Sequence, residues 1–190
     1  MAGSGPSKLD EVAREAKQAP GRGLPPVHLW TPAHSGEIDI VIARDGSWRH
    51  EGAKIGREAM VRLFSTILRK DPDGVWLVTP VEKLRITVED APFVAVRVDQ
   101  VAGAGGRPAL RFTTNVGDEV EASADNPIRV ETGAGGEPRP YVHVRRGLEA
   151  LIARPVFYEL VELASAREGR LGVESHGAWF DLGPAEGDGR

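Results

Sequence analysis

Apolar residues between 57 and 70 recur at Met60, Leu63, Phe64, Ile67 and Leu68, a spacing that puts all five on one helical face. The pattern predicts a helix from Arg57 to Lys70, with Arg69 and Lys70 suited to the negative end of its dipole. Before it, Ile38, Ile40 and Ile42 alternate with their neighbours at a period of two, which predicts a strand. Arg44-Asp45-Gly46-Ser47 then reads as a hairpin turn, and Trp48 opens the return strand. Residues 7–18 carry a weaker helical stripe (Leu9, Val12, Ala13, Ala16), with Ser7 as its cap and Pro20-Gly21 as its stop. The proline-rich stretch that follows predicts an extended arm, which Leu24, Val27, Leu29 and Trp30 lay along the body.

After Asp71-Pro72-Asp73-Gly74, a turn, strands follow in series. Val75–Thr79 is a short apolar run, and Leu84, Ile86 and Val88 alternate. Asp90-Ala91-Pro92 interrupts the chain before Val94, Val96 and Val98 alternate again. Leu110 and Phe112 continue the pattern, Asn115–Asp118 turns into 119–122, and such a series reads as an antiparallel sheet. In the last third, Ile128 and Val130, a glycine loop and Tyr141–Val144 precede a second helical stripe from about Arg145 to Val161. Pro155 is expected to kink or split that helix. Leu171–Glu174 and Ala178–Leu182 close the fold, and the tail from Gly183 is expected to fray.

These elements suggest a repeat: hairpin, Arg-x-x-apolar, helix, strand, once around Trp48 and Arg57 and once around Tyr141 and Arg145. The predicted fold class is α+β, with two related halves, each a hairpin–helix–strand motif with an antiparallel sheet packed on a helix. The expected organisation is an N-terminal helix and extended arm at 1–34, a first half at 35–118 and a second at 119–190.

Composition narrows the function. The chain has 190 residues, a formal charge of −4 with acids and bases interspersed, and no cysteine. Thiol catalysis, thiolate metal sites and disulfides are excluded, which fits a reducing compartment. There is neither a basic stripe for nucleic acid nor an apolar run long enough for a bilayer, and 1–20 lacks the apolar segment of a signal peptide. The expectation is a cytoplasmic protein with no nucleic-acid or membrane partner.

Candidate chemistry is sparse. The two GAGG segments, at 103–106 and 133–136, precede strands rather than helices, so they read as hairpin loops and not as phosphate cradles. His28, His34, His50, His143 and His176 show no paired metal-ligand spacing, and no serine–histidine–acid arrangement is legible. No catalytic residue, metal or cofactor is therefore assigned. Thr79, Glu82 and Lys83 stand between two strands, where polar groups can point into a cleft, and Asn115 ends a similar polar strand. Arg57 and Arg145 stand where the two helices are predicted to start, positions that favour an anion. The bland reading of each is a turn residue or a surface ion pair.

The segments RDGSW (44–48), Ile55 with Arg57, FSTIL (64–68), DPDG (71–74), LVTPVEK (77–83), VEDAPF (88–93), FTTN (112–115), VRRGLEALIARPVFYELVE (144–162) and SHGAWFDLG (175–183) occur in order along most of the chain. In these the chain resembles the bacterial family called domain of unknown function 1285. The resemblance implies an α+β protein with repeated hairpin–helix motifs and a role in ligand binding or signal transduction, with no catalytic set.

The preferred reading is a non-catalytic ligand-binding or regulatory module. Its site is expected between the halves, with Arg57, Thr79, Glu82, Lys83, Asn115 and Arg145 as candidates for a small anionic ligand or a signalling partner. The alternatives are a hydrolase or other small-molecule enzyme, with His143 or His50 beside a carboxylate in a deep pocket, and a protein-interaction scaffold using an exposed sheet edge or a self-associating apolar patch. Oligomeric state and ligand identity are not legible in the sequence.

Overall fold

Asp90-Ala91-Pro92, the stretch that interrupts the strand series, is where the molecule divides. The computed structural model describes residues 7–18 and 23–185, and its contacts separate unit 1, Met1–Asp90, from unit 2, Ala91–Arg190. The expected boundaries at 34/35 and 118/119 are replaced by this one. Residues 93–121 fall in unit 2 because their strands pair with 148–152 rather than with the first half. The expected Pro20-Gly21 stop and the end of the tail lie outside the described residues.

In unit 1, helix α1 (Lys8–Lys17) starts where Ser7 Oγ accepts the Asp10 N–H. Strands β1 (His34–Ile42), β2 (Trp48–His50) and β3 (Ala53–Lys54) form one antiparallel meander. After helix α2 (Glu58–Thr66), strands β4 (Leu68–Asp71), β5 (Gly74–Val78) and β6 (Glu82–Val88) form another. The meanders join through β1 and β6, which run parallel, in the order β3-β2-β1-β6-β5-β4. Phe64 of α2 and Trp48 of β2 are fully buried, with ring centroids 6.4 Å apart. Of the arm, Val27 is buried but Leu24 and Leu29 are exposed, and residues 27–29 make a single 3-10 turn.

Unit 2 repeats the scheme without the intervening helix. Strands β7 (Phe93–Ala102), β8 (Pro108–Thr114) and β9 (Glu119–Glu121) form one meander. Strands β10 (Ile128–Thr132), β11 (Pro138–Arg145) and β12 (Leu148–Ile152) form the other. Again the first and last strands, β7 and β12, meet in parallel, giving β10-β11-β12-β7-β8-β9. Helix α3 (Arg154–Leu163) then packs on β7, and β13 (Ser165–Arg167), β14 (Arg170–Ser175) and β15 (Ala178–Pro184) add a three-stranded sheet.

The α+β class and two similar halves stand, with four corrections. The sheets are mixed, because each half lays two antiparallel meanders side by side through a long crossover. Helix α2 ends at Thr66, not Lys70. Ser65 and Thr66 hydroxyls turn back onto the carbonyls of Arg62 and Leu63 (2.7 and 2.6 Å), and Leu68–Asp71 is drawn into the hairpin that the Asp71–Gly74 turn closes. Arg145 does not start a helix. Arg146 and Gly147 have φ of 46° and 77°, the two-residue hairpin signature, so the chain returns as β12 before α3 begins. Pro155 lies in the first turn of α3, where its missing N–H costs no helical bond, and it produces no kink. The repeat therefore aligns β1–β6 with β7–β12, and Arg57 and Arg145 are not equivalent.

Candidate functional site

Four of the six expected site residues lie in unit 1, where each already holds a partner from the chain. Thr79 is buried between β5 and β6. Its Oγ1 accepts the Glu82 N–H (3.1 Å) and donates to Glu15 Oε2 of α1 (2.9 Å). The Glu82 carboxylate accepts two hydrogen bonds from Lys8 of α1 (2.8 and 2.9 Å), and this bond, first among the causes, raises the Lys8 pKa. Arg57 precedes α2 and stands 3.6 Å from Asp10 of α1. Arg57, Thr79 and Glu82 thus converge on α1, whose Leu9, Val12, Ala13 and Ala16 are buried. Between α1 and α2 a groove of about 370 Å³ remains, lined by Ala13, Lys17, Arg57, Met60 and Leu63 among others. Lys83 points elsewhere, 3.6 Å from Asp71 and 4.2 Å over the Trp76 ring.

Asp71 is held mainly by Arg69 (2.8 and 2.9 Å), which lowers its pKa. The same guanidinium donates to the carbonyls of Val27 (3.1 Å) and Trp30 (2.8 Å), fastening the arm to β4. The periodicity had put Arg69 on a helix surface, so this anchor was missed.

The other two expected residues are in unit 2. Asn115 Oδ1 accepts the Val94 N–H (2.9 Å), and the Asn115 N–H donates to the Val94 carbonyl (2.8 Å). Arg145 pairs with Asp118 and lies 5.0 Å over the Phe93 ring.

Unit 2 holds a groove of about 680 Å³ between β10 and β15, two strands that no ladder joins. Its lining includes Ile128, Val130, Phe157, Leu171, Trp179 and Leu182. Along β11, His143 N–H donates to the Pro127 carbonyl (3.0 Å), which makes Ile128–Val142 a pair without mutual bonds. Antiparallel alternation then turns the N–H and C=O groups of Ile128, Val130 and Thr132 away from β11. Trp179 is held by Arg167, 4.1 Å over its ring, and by Gly172, where an added Cβ would stand 2.4 Å from the indole. Ion pairs border the groove, and Glu131 of the lining also meets Arg129. Arg129 grips Glu149 through two 2.7 Å bonds, and Arg170 grips Asp181 (2.6 and 2.9 Å), so the Arg129 pKa is raised and that of Asp181 lowered. The described lining holds no histidine, serine or lysine.

Of the two histidines named for a hydrolytic site, His50 has its Nε2 4.0 Å from Glu51, but that carboxylate is exposed. His143 Nε2 accepts the Gly147 N–H (3.0 Å), and His50 Nδ1 meets the Asp39 carbonyl (2.9 Å). Instead His176 Nε2 lies 2.6 Å from Glu121, whose other oxygen takes Arg111 (2.7 Å). The neighbouring Ser175 hydroxyl is turned into the core, donating to the Ala122 carbonyl (2.6 Å) and accepting the Leu110 N–H (2.9 Å). Among the described residues no group of three or more histidine or acidic side chains is placed to hold a metal. None of the described helices is long and apolar enough to cross a membrane.

Residues 25–91 match the family model described as "Domain of unknown function (DUF1285), N-terminal domain". Residues 92–182 match "Protein of unknown function (DUF1285), C-terminal domain". The junction falls beside the break between the two units, and α1 lies ahead of both matches. A crystal structure of a DUF1285 family protein from Silicibacter pomeroyi is 50% identical, with a TM-score of 0.83 over 92% of this chain and 95% of that one. A second, from Shewanella baltica, is 26% identical, with a TM-score of 0.52 over 65% of this chain and 90% of that one. No curated protein matches the chain.

Proposed function

We propose a non-catalytic binding and regulatory role for this chain, which belongs to the DUF1285 family, with the groove of unit 2 as the binding surface. The observation that carries the reading is the union of an apolar floor with a strand edge whose backbone groups face the groove. Such an edge recognises an extended peptide by completing the ladder, while alternate side chains enter apolar pockets. The ligand class is therefore an extended segment of a partner protein. Its apolar side chains would rest on Phe157 and Trp179. The lining supports binding over catalysis, since its charged side chains are engaged in ion pairs and no nucleophile lies beside a base. The cysteine-free composition fits action in the cytoplasm, which cell fractionation would check.

The test is selection from a random peptide library on the full chain, followed by titration of the labelled peptide read by fluorescence anisotropy. Val130→Pro removes an N–H that faces the groove and leaves the β11 ladder bonds in place, a substitution edge strands tolerate. Selected peptides are expected to bind the wild type and to lose about tenfold or more with Val130→Pro, the scale of one lost hydrogen bond in a desolvated setting. A library that yields no binder, or binders indifferent to Val130→Pro and to Trp179→Ala, would refute the groove as the site.

A further inference from the structure

A second face emerges in unit 1, independent of the groove in unit 2. We infer that α1 is a displaceable occupant of a receptor for amphipathic helices, and that a partner helix of the same chemistry takes its place.

Ten residues is shorter than the roughly 12–15 an isolated helix needs to persist in water, so α1 depends on docking. That docking rests on four buried side chains, two of them alanines. Two of its three polar anchors reach water: the Lys8, Asp10 and Arg57 side chains are 45%, 48% and 68% exposed, while the Glu15 bond to the buried Thr79 is the sheltered one. Pairs of that exposure hold weakly. The groove beside Ala13 and Met60 leaves part of the α1–α2 contact unfilled.

The surface beneath is nonetheless specific. Glu82 takes the lysine at the start of the helix, Arg57 takes the carboxylate two residues on, and the buried Thr79 hydroxyl takes a carboxylate two turns along. The apolar stripe at 9, 12, 13 and 16 runs between these contacts. A partner helix must therefore carry a leading lysine and acids on either side of an i, i+3, i+4, i+7 apolar stripe. This pattern of alternating charge about a groove is what sets orientation and register in helix-in-groove recognition. Release of α1 exposes Thr79, and a competing helix covers it again.

The test uses the full chain and a fluorescein-labelled peptide of residues 7–18. Val12→Asp places a charge in the stripe of the resident helix without touching the receptor face. A resident helix docked nine-tenths of the time or more lowers the apparent affinity about tenfold or more. The peptide should therefore bind Val12→Asp at least tenfold more tightly than wild type. Adding Glu82→Lys should abolish that gain, and a peptide with Lys8→Glu should recover it. Amide exchange of α1 in the wild-type chain should be faster than that of β6. A Val12→Asp chain that melts cooperatively yet ignores the peptide would overturn the inference. So would loss of cooperative melting in Val12→Asp, or α1 amides protected as long as those of β6, because either makes α1 part of the core.

Discussion

Replacing Thr79 with valine keeps the shape of a fully buried side chain and removes one oxygen atom. That oxygen accepts the Glu82 N–H at 3.1 Å and, more weakly, the Val81 N–H at 3.4 Å, and its hydrogen goes to Glu15 at 2.9 Å. A buried donor left without an acceptor costs about 1–3 kcal/mol. Val81 is exposed and Glu82 half-buried, so water reaches part of the turn and the lower end applies, about 1–2 kcal/mol. For a chain of this size each kcal/mol moves Tm by roughly 2–4 °C, so a drop of about 2–8 °C is expected.

The chain has four tryptophans, and only Trp179 lies in unit 2. A Trp179→Phe background therefore lets tryptophan fluorescence report on unit 1 alone during melting or urea titration. A double-mutant cycle with Glu15→Ala isolates the bond to α1, with a coupling of about 0.5–1.5 kcal/mol. A Thr79→Val chain that melts within about 1 °C of its parent, with an unchanged urea slope, would show that the hydroxyl is not holding the β5–β6 turn.

Ser175→Ala should cost about 1–3 kcal/mol by urea denaturation, because the Leu110 N–H loses its acceptor inside the core. Gly147→Ala should destabilise by about 1 kcal/mol or more at its φ of 77°, whereas Arg146→Asn, at φ 46°, should be neutral or stabilising, since asparagine favours that hairpin position. Glu121 has its pKa lowered by Arg111 first and His176 second, so it contributes stability at pH values above the ordinary glutamate range. That contribution is lost as pH falls through the depressed folded-state pKa. Melts across the acid range should show Glu121→Gln losing its disadvantage relative to wild type as pH drops below about 4.

Strand positions were legible wherever one face is buried, because alternation at Ile40 and Ile42, or at Leu110 and Phe112, reports burial directly. Helix ends were not. Ile67 and Leu68 are buried and apolar whether they extend a helix or open β4, so the helical stripe continues on paper past the point where the hairpin takes over. The parallel joins were hidden for a different reason. Each meander is antiparallel within itself, and nothing in a strand's own pattern says that β1 will lie beside β6 rather than at an edge.

The candidate site divides along the same line. Residue type marks Thr79, Glu82 and Arg57 as polar groups at the ends of elements, but a single chain does not announce where their partners come from. They come from α1, 64 residues away at Glu15 and 74 at Lys8. An unfilled polar cluster read from sequence is thus equally the signature of a ligand site and of an intramolecular contact, and here the chain itself supplies the helix that meets these groups. What separates them is the strength of the hold. A ten-residue helix with solvent-exposed ion pairs can be exchanged, whereas Ser175, with its hydroxyl fully buried and both bonds inside the core, cannot. The exchange inferred above is to be sought at α1 because water already reaches two of its polar contacts.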